Sequence, residues 1–257
     1  EAFAGGASVG LAVAHLRLAD EVVLVEKDPD VAAFWSTVID DDGGVEYLLD
    51  QCESLSVTED AIRGWLQRPT SDTRERAFRR LLQSVFVFNG ITRPDNAELL
   101  CRGRMQRWNP TRIMMRLLLI GRMRPRLRFV EGDVLDLMRR VGNEKDVCWF
   151  FDPPYPSLKE GRERLYQTSE VPTSALFSAL STLKGRWIMT NEDSWITHAL
   201  CARHNFNYRR PLVRSNHSAK SHKTELLIGR DVQDIPLIGF KALRGEATAE
   251  DGDDDAA

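Results

Sequence analysis

Short apolar, β-branched segments alternate with helical segments at the start of the chain and again in its second half. The first such segment is residues 21–26, and the later ones are residues 127–130, 147–151 and 187–190. Apolar strands separated by helices are typical of a parallel sheet with helices on both faces. The pattern therefore predicts an α/β fold, in which Ser8 is the expected N-cap of the first helix. The predicted helices are residues 8–18, 29–39, 134–140, 172–183 and 193–203.

Residues 43–125 break this alternation, because they look mostly helical and contain no convincing strand. We interpret them as a helical subdomain inserted between two parts of the α/β domain, residues 1–42 and residues 126–240. Residues 241–257 are rich in Ala, Glu, Asp and Gly, which predicts a disordered acidic tail. The chain begins at Glu1 rather than Met, inside a loop motif, so we expect an N-terminally truncated domain whose first strand is mostly missing.

The charged residues are unevenly distributed along the chain. The net charge is −3, from 35 basic and 38 acidic residues, but six of the acids lie in residues 246–257. Without that segment the acidic residues number 32, so the rest of the chain carries a charge of +3. Residues 102–128 contain nine arginines and no acid, and residues 203–224 contain six basic residues and no acid. Two such stretches indicate a polyanion as partner, with solvated helix faces as the alternative.

The cysteines and the hydropathy pattern limit the class of protein. Cys52, Cys101, Cys148 and Cys201 lie about fifty residues apart and form no C-x-x-C pair, which argues against a zinc site. Four such cysteines fit a reducing, cytoplasmic setting. No run approaches eighteen apolar residues and no secretory leader is visible, so we expect no membrane partner. We also expect a monomer.

The strongest chemical signal is Asp152-Pro153-Pro154-Tyr155, directly after the apolar strand at residues 147–151. Ligands of open α/β sheets bind at the carboxyl ends of strands, so this tetrapeptide is well placed for a site. The prolines fix the backbone and remove two N–H donors. Asp152 and a neighbouring carbonyl can then accept from an amino group, while Tyr155 offers a flat face. The motif predicts a pocket for a planar, amino-bearing ring; a proline-stiffened loop with a solvated Asp is the alternative.

Three further features lie at predicted strand ends. The loop Phe3-Ala4-Gly5-Gly6 lets a ligand approach the backbone, although Ala7 breaks the G-x-G-x-x-G pattern. Glu26 can accept from ribose hydroxyls, and Asp133, followed by Val134, can accept from an adenine amino group. The alternatives are an ordinary surface Glu and an N-capping Asp. Since no motif marks a phosphate chain or a metal, the set predicts S-adenosylmethionine as cofactor and no metal ion.

These motifs occur in an order that resembles the Dam-type DNA adenine-N6 methyltransferases of the alpha group. The resemblance runs from Glu1 to about Gly229. Glu1-Ala2-Phe3-Ala4-Gly5-Gly6 is similar to the family's Glu-Pro-Phe-x-Gly-Gly loop, with Ala2 in place of Pro. Val25-Glu26-Lys27-Asp28-Pro29-Asp30 is similar to its second motif, with Glu26 in place of the commoner Asp. The family's upstream Trp-Ala-Gly-Gly-Lys segment has no counterpart in this sequence.

Two later segments extend the resemblance beyond the Asp-Pro-Pro-Tyr motif. Phe88-Asn89-Gly90-Ile91-Thr92-Arg93 resembles the Asn-Gly-x-x-Arg segment that opens the family's DNA-contacting insert. Arg214-Ser215 with Lys223-Thr224-Glu225-Leu226-Leu227 resembles its closing Arg-x-x-Ser…Glu-Leu-Leu pattern. The resemblance implies a Rossmann-like S-adenosylmethionine-dependent methyltransferase sheet with a mostly helical target-recognition insert. Residues 1–42 would then be the cofactor-binding part and residues 126–240 the catalytic part.

The resemblance also implies the site residues and the substrate, a flipped adenine in double-stranded DNA methylated by a bacterial, archaeal or phage-encoded enzyme. The implied catalytic residues are Asp152, Pro153, Pro154 and Tyr155. The implied cofactor site is Phe3, Ala4, Gly5, Gly6, Glu26, Asp133, Val134 and Asp152. Arg and Asn suit guanine and adenine, and basic side chains suit phosphates. The predicted DNA contacts are therefore Asn89, Arg93, Arg107, Asn109, Arg112, Arg122, Arg124, Arg126, Arg214, Ser215, Lys220 and Lys223.

The sequence leaves two other functions open. The same chemistry on adenine in structured RNA is one, since the basic stretches do not separate DNA from RNA. A catalytically silent relative that still binds DNA is the other, although the intact Asp152-Pro153-Pro154-Tyr155 argues against it. Methylation of a protein glutamine is disfavoured, because that chemistry usually goes with Asn at the first position of the tetrapeptide.

Overall fold

The computed structural model is mixed α/β, and its contacts divide the chain into two units, Glu1–Trp187 and Ile188–Ala257. The predicted boundaries after residues 42, 125 and 240 stay predictions. The structure describes residues 1–87, 106–154, 173–210 and 225–234.

Helices and strands alternate at both ends of the first unit. Its strands are β1 (Val22–Glu26), β2 (Leu127–Glu131) and β3 (Cys148–Phe151). Its helices are α1 (Ser8–His15), α2 (Pro29–Ile39), α3 (Gly44–Ser54), α4 (Glu59–Gln67), α5 (Thr73–Phe86), α6 (Pro110–Met123), α7 (Val134–Val141) and α8 (Thr173–Thr182). A short 3₁₀ turn at Arg124–Arg126 leads from α6 into β2.

The strands of the first unit run parallel, with the first residues of the chain between them. β1 pairs with β2 in parallel, with Val22 opposite Leu127. Ala2 forms parallel bridges to Val25 of β1 and to Phe151 of β3. Residues 1–4 therefore occupy the position of a strand between β1 and β3, where the sequence predicted a mostly missing one.

Local signals explain where the first two helices begin. The Asp28 side chain accepts from the backbone N–H groups of Asp30 and Val31, and Pro29 occupies the first turn of α2. This combination of cap and proline fixes the start of the helix. The prediction that Ser8 caps α1 is wrong, because the N-cap is Ala7, in the left-handed conformation with no side-chain cap.

Two apolar clusters form the core of the first unit. One packs α1 and α2 on the sheet around Leu24 and Trp35. The other joins α3, α4, α5 and α6 around Phe78 and Phe86, and Trp65 meets Phe78 edge to face at 5.0 Å between ring centroids. The described part of residues 43–125 is thus largely helical, as predicted, with a cluster of buried side chains at its centre.

The second unit contains antiparallel strands. Its elements are β4 (Arg186–Glu192), which begins at the end of the first unit, α9 (Trp195–His204), β5 (Asn207–Arg209) and β6 (Glu225–Gly229). β6 pairs antiparallel with both β4 and β5. Ser194 caps α9 by accepting from the Thr197 N–H, and the helix ends at Asn205 in the left-handed conformation.

Two glycines give opposite predictions for stability. A Cβ on Gly44 would lie 1.9 Å from the backbone oxygen of Thr37, whereas a Cβ on Gly64, inside α4, meets no atom within 4 Å. We expect Gly44→Ala to lower the free energy of unfolding by about 3 kcal/mol, because the backbone must shift. Gly64→Ala should raise it by roughly 0.5–1 kcal/mol, since Ala is the better helix former. Urea denaturation measures both, and similar effects of the two changes would contradict this packing.

Candidate functional site

The order of the parallel strands reverses between residues 1–4 and β3. From residues 1–4 the chain passes to β1 and then β2 on one side, while β3 lies on the other side. Where the strand order of an open α/β sheet reverses, the connections leave in opposite directions and open a crevice at the carboxyl ends. Gly5 and Gly6 follow one of the two strands that flank this point, and Asp152 follows the other.

The glycine loop has an unusual backbone held by specific hydrogen bonds. Phe3, Gly5 and Ala7 all have positive φ, at 59°, 47° and 47°. The Gly5 carbonyl accepts from the Trp35 indole N–H at 3.0 Å. Gly6 is exposed, and a Cβ there would meet no atom within 4 Å. The loop is therefore fixed from the helix side and open at Gly6.

Glu26, at the end of β1, is committed mainly to the backbone. Its Oε2 accepts from the Gly5 N–H at 3.0 Å, and its Oε1 accepts from the N–H groups of Lys27 and Asp28 at 2.9 and 3.0 Å. A carboxylate has about four acceptor positions, and the backbone takes three of them. Glu26 thus organises the glycine loop, and it can accept from both hydroxyls of a ribose only by giving up one of these bonds.

Asp133 caps the helix that follows β2. Its Oδ1 accepts from the Leu135 N–H at 2.8 Å, and its Oδ2 lies 3.5 Å from the Lys27 ammonium. The Gly132 N–H donates to the Glu26 carbonyl at 2.9 Å, so the ends of β1 and β2 are tied together. Val134 is buried. The N-capping alternative for Asp133 therefore holds, and the carboxylate lies at the same sheet edge as Glu26.

Asp152 lies directly after β3 and is exposed, whereas Pro153 behind it is buried. Burial raises the pKa of the Glu1 carboxyl, and the Asp152 charge adds to this rise. Hydrogen bonds from the Gly10 and Val9 N–H groups and the charge of the Glu1 ammonium group oppose it. The two carboxylates are thus close enough to interact electrostatically. The sequence motif that contains Glu1 did not predict this role for it, and no motif pointed to Trp35.

An apolar cavity of about 720 Å³ adjoins the glycine loop on its helix side. Gly5 and Gly6 line one end, and side chains of α1, α2, α5 and α6 form the rest. Glu26, Asp133 and Asp152 do not line it. The cavity therefore lies apart from the acidic edge of the sheet, and we base the candidate site on that edge.

Three side chains that the sequence predicts to contact DNA form hydrogen bonds within the protein. Asn109 is the N-cap of α6 and accepts from a backbone N–H of its first turn. Arg124 Nε donates to the Ile39 carbonyl at 2.8 Å, and Arg126 Nη1 donates to the Ala19 carbonyl at 3.4 Å. Asn109 therefore fixes the start of α6, and Arg124 and Arg126 join distant segments of the first unit.

The other predicted contacts fall into two groups. Those exposed in the structure are Arg107, Arg112 and Arg122. Those outside the described residues are Asn89, Arg93, Arg214, Ser215, Lys220 and Lys223, together with the predicted stacking residue Tyr155.

Comparison with models of protein families finds no match for the chain, and comparison with curated proteins finds none either. Within the described ranges, no helix is long and apolar enough to cross a membrane, and no three His, Cys, Asp or Glu side chains cluster as metal ligands would. Cys52, Cys148 and Cys201 are free thiols.

The electrostatic interaction between the Glu1 and Asp152 carboxylates can be measured. Asp152→Asn should lower the pKa of Glu1, because it removes a negative charge that disfavours the ionised form. An NMR titration with labelled glutamate side chains follows that pKa directly. Asp50→Asn, at an exposed carboxylate of α3, is the control and should leave it unchanged. An unshifted Glu1 in Asp152→Asn would mean that the two groups lie far apart.

Proposed function

We propose that the chain is a DNA adenine-N6 methyltransferase with a Rossmann-like sheet, which uses S-adenosylmethionine to methylate an adenine flipped out of duplex DNA. The observation that carries the proposal is the placement of Asp152 and the Gly5–Gly6 loop on the two strands that flank the reversal of strand order. Crevices at this position bind nucleotides and related cofactors. The resemblance to the Dam-type family supports the same function.

The residues at the sheet edge fit the proposed cofactor. The Phe3–Gly6 loop, Glu26 and Asp133 would hold it, since the loop is open at Gly6 and each of the two carboxylates, at adjoining strand ends, keeps acceptor capacity beyond its backbone hydrogen bonds. Glu1 and Asp152 are neighbouring carboxylates, and their negative potential favours a cationic group. When bound, S-adenosylmethionine supplies a methyl group already activated on a sulfonium.

Asp152 and Pro153 would act on the adenine amino group. That nitrogen is a poor nucleophile, because its lone pair is delocalised into the ring. Hydrogen bonds from the NH₂ group to the Asp152 carboxylate and the Pro153 carbonyl would favour a pyramidal nitrogen and stabilise the positive charge that develops during transfer. Phe151 and Pro153 are buried on either side of Asp152, so the acceptors are held on a rigid support.

The substrate base must leave the duplex to reach Asp152. Extrusion costs a few kcal/mol, and stacking on an aromatic side chain, here proposed for Tyr155, offsets part of that cost. The exposed arginines of the insert, Arg107, Arg112 and Arg122, would contact phosphates and set the register of the protein on DNA.

Removal of the Asp152 carboxylate tests the assigned chemistry. Asp152→Ala should abolish transfer of a labelled methyl group to duplex DNA, a loss of at least about a hundredfold, because the developing charge loses its main acceptor. DNA binding should stay within a few-fold, and Asp50→Asn should be fully active. Full activity of Asp152→Ala would refute the mechanism. Methylation of a matched RNA but not of DNA would favour the RNA alternative, and no methylation of either by the unaltered chain would favour a silent relative.

The arginines of α6 generate a separate prediction about DNA affinity. Arg112→Ala and Arg122→Ala should each weaken binding and reduce the slope of log K against log salt concentration by about one, as expected when one phosphate contact is lost. Fluorescence anisotropy over a salt series measures the slope. Arg139→Ala is the matched control, since this exposed arginine of α7 pairs with Asp136 and is not a predicted contact. A slope unchanged in both α6 variants would remove α6 from the interface.

A further inference from the structure

One tryptophan of the second unit is exposed to solvent. Trp195, the first residue of α9, has 75% of its surface accessible. Indole rings contribute most when they are packed, and aromatic side chains left on the surface beside polar groups mark interaction sites. By contrast, the remaining tryptophans are buried or half-buried: Trp35, Trp65, Trp108, Trp149 and Trp187.

Two further aromatic rings lie on α9 and β5, those of His198 and Tyr208. His198 lies one turn after Trp195 and shares its helix face. Its ring meets the ring of Tyr208 edge to face, with centroids 4.8 Å apart, and Tyr208 is 38% exposed. The His198 Nε2 lies 2.7 Å from the Asp193 Oδ1, which fixes the plane of the imidazole. Trp195 and His198 therefore share one face of α9, His198 also contacts Tyr208, and Asp193 positions the His198 ring.

Arg210 shares the Asp193 carboxylate with His198 and adds a positive charge to these rings. Arg210, whose side chain is 61% exposed, donates through Nε to the Asp193 Oδ2 at 2.8 Å. Although burial opposes the effect, the hydrogen bonds from Arg210 and His198 lower the pKa of Asp193 and keep it ionised. Because Asp193 binds Nε, the terminal NH₂ groups of Arg210 can still donate to a phosphate. Arg210 also belongs to residues 203–224, which contain six basic residues and no acid.

We propose that Trp195, His198, Tyr208 and Arg210, here called the α9 surface, bind DNA, with Trp195 stacked on a base that is unpaired and out of the duplex stack and Arg210 on a backbone phosphate. Exposed aromatic faces stack on any unpaired base, and neighbouring basic groups follow the strand. The acid-free sequence that follows Arg210 favours a polyanion over an acidic or apolar protein partner. The inference rests on the proposed function in one respect, that the substrate is DNA.

Substitution of Trp195 separates stacking from charge. Trp195→Ala should bind a duplex oligonucleotide that carries one unpaired base about tenfold more weakly, whereas Trp195→Phe, which keeps an aromatic face, should stay within about threefold. Leu18→Ala is the matched control, because Leu18 is another large apolar side chain, 70% exposed, in the first unit. DNA should also shield the unaltered protein from acrylamide quenching of tryptophan fluorescence, and this protection should disappear in Trp195→Phe.

Each outcome of this experiment bears on the α9 surface. Unchanged DNA affinity in Trp195→Ala overturns the inference, and so does a lack of protection from acrylamide in the unaltered chain. If Trp195→Ala fails to fold, the acrylamide measurement on the unaltered chain and on Trp195→Phe decides. A matched RNA that binds more tightly than DNA and is lost in Trp195→Ala also overturns DNA as the partner. Weaker DNA binding by Trp195→Ala, in a chain that methylates no nucleic acid, supports the α9 surface while the proposed function fails. If Trp195→Ala binds and methylates DNA as the unaltered chain does, the α9 surface is overturned while the proposed function stands.

Discussion

The pairing of residues 1–4 with strands on both sides holds the candidate site together. The Ala2 N–H donates to the Phe150 carbonyl at 2.8 Å, and the Val25 N–H donates to the Glu1 carbonyl at 3.0 Å. These bonds join β1 and β3 through a segment of only a few residues. They also fix where the glycine loop begins, where Glu1 presents its carboxylate and how near that carboxylate lies to Asp152. A shift of the segment along either neighbour would move all three features at once.

The acids at the sheet edge differ in how many of their acceptor positions the backbone takes. Glu26 accepts from three backbone N–H groups, and Asp133 caps α7. Such bonds reduce the freedom of the loops before any ligand arrives, which is the physical content of preorganisation. Asp152 differs from both, because it is exposed at the end of a strand whose neighbouring residues are buried. Under the proposed function, it is the carboxylate that would meet the substrate.

Sequence patterns predicted local structure better than long-range contacts. The bounds of α2 agree with the prediction for residues 29–39, because Asp28 and Pro29 are local signals for a helix start. The predicted N-cap of α1, Ser8, was wrong, since the left-handed backbone at the actual N-cap, Ala7, depends on the loop around it. The arginine-rich stretch predicted DNA contacts at Arg124 and Arg126, yet both guanidinium groups also donate to carbonyls of distant residues. A run of like charges cannot reveal which of its members the fold itself uses.

Under the proposed function, the distribution of charge gives a physical reason why a base, rather than the backbone, would approach Asp152. The carboxylates of Glu1 and Asp152 add negative charge at the sheet edge, which the ammonium group of Glu1 offsets in part, and negative charge repels phosphates. The exposed arginines of α6 carry the opposite charge and would hold the phosphates elsewhere. A neutral base with an exocyclic amine is attracted by the acceptors and is not repelled by the edge. Under the proposed function, the same field that excludes the backbone stabilises the charge that develops on the amine, so selection of the base and catalysis share one electrostatic origin.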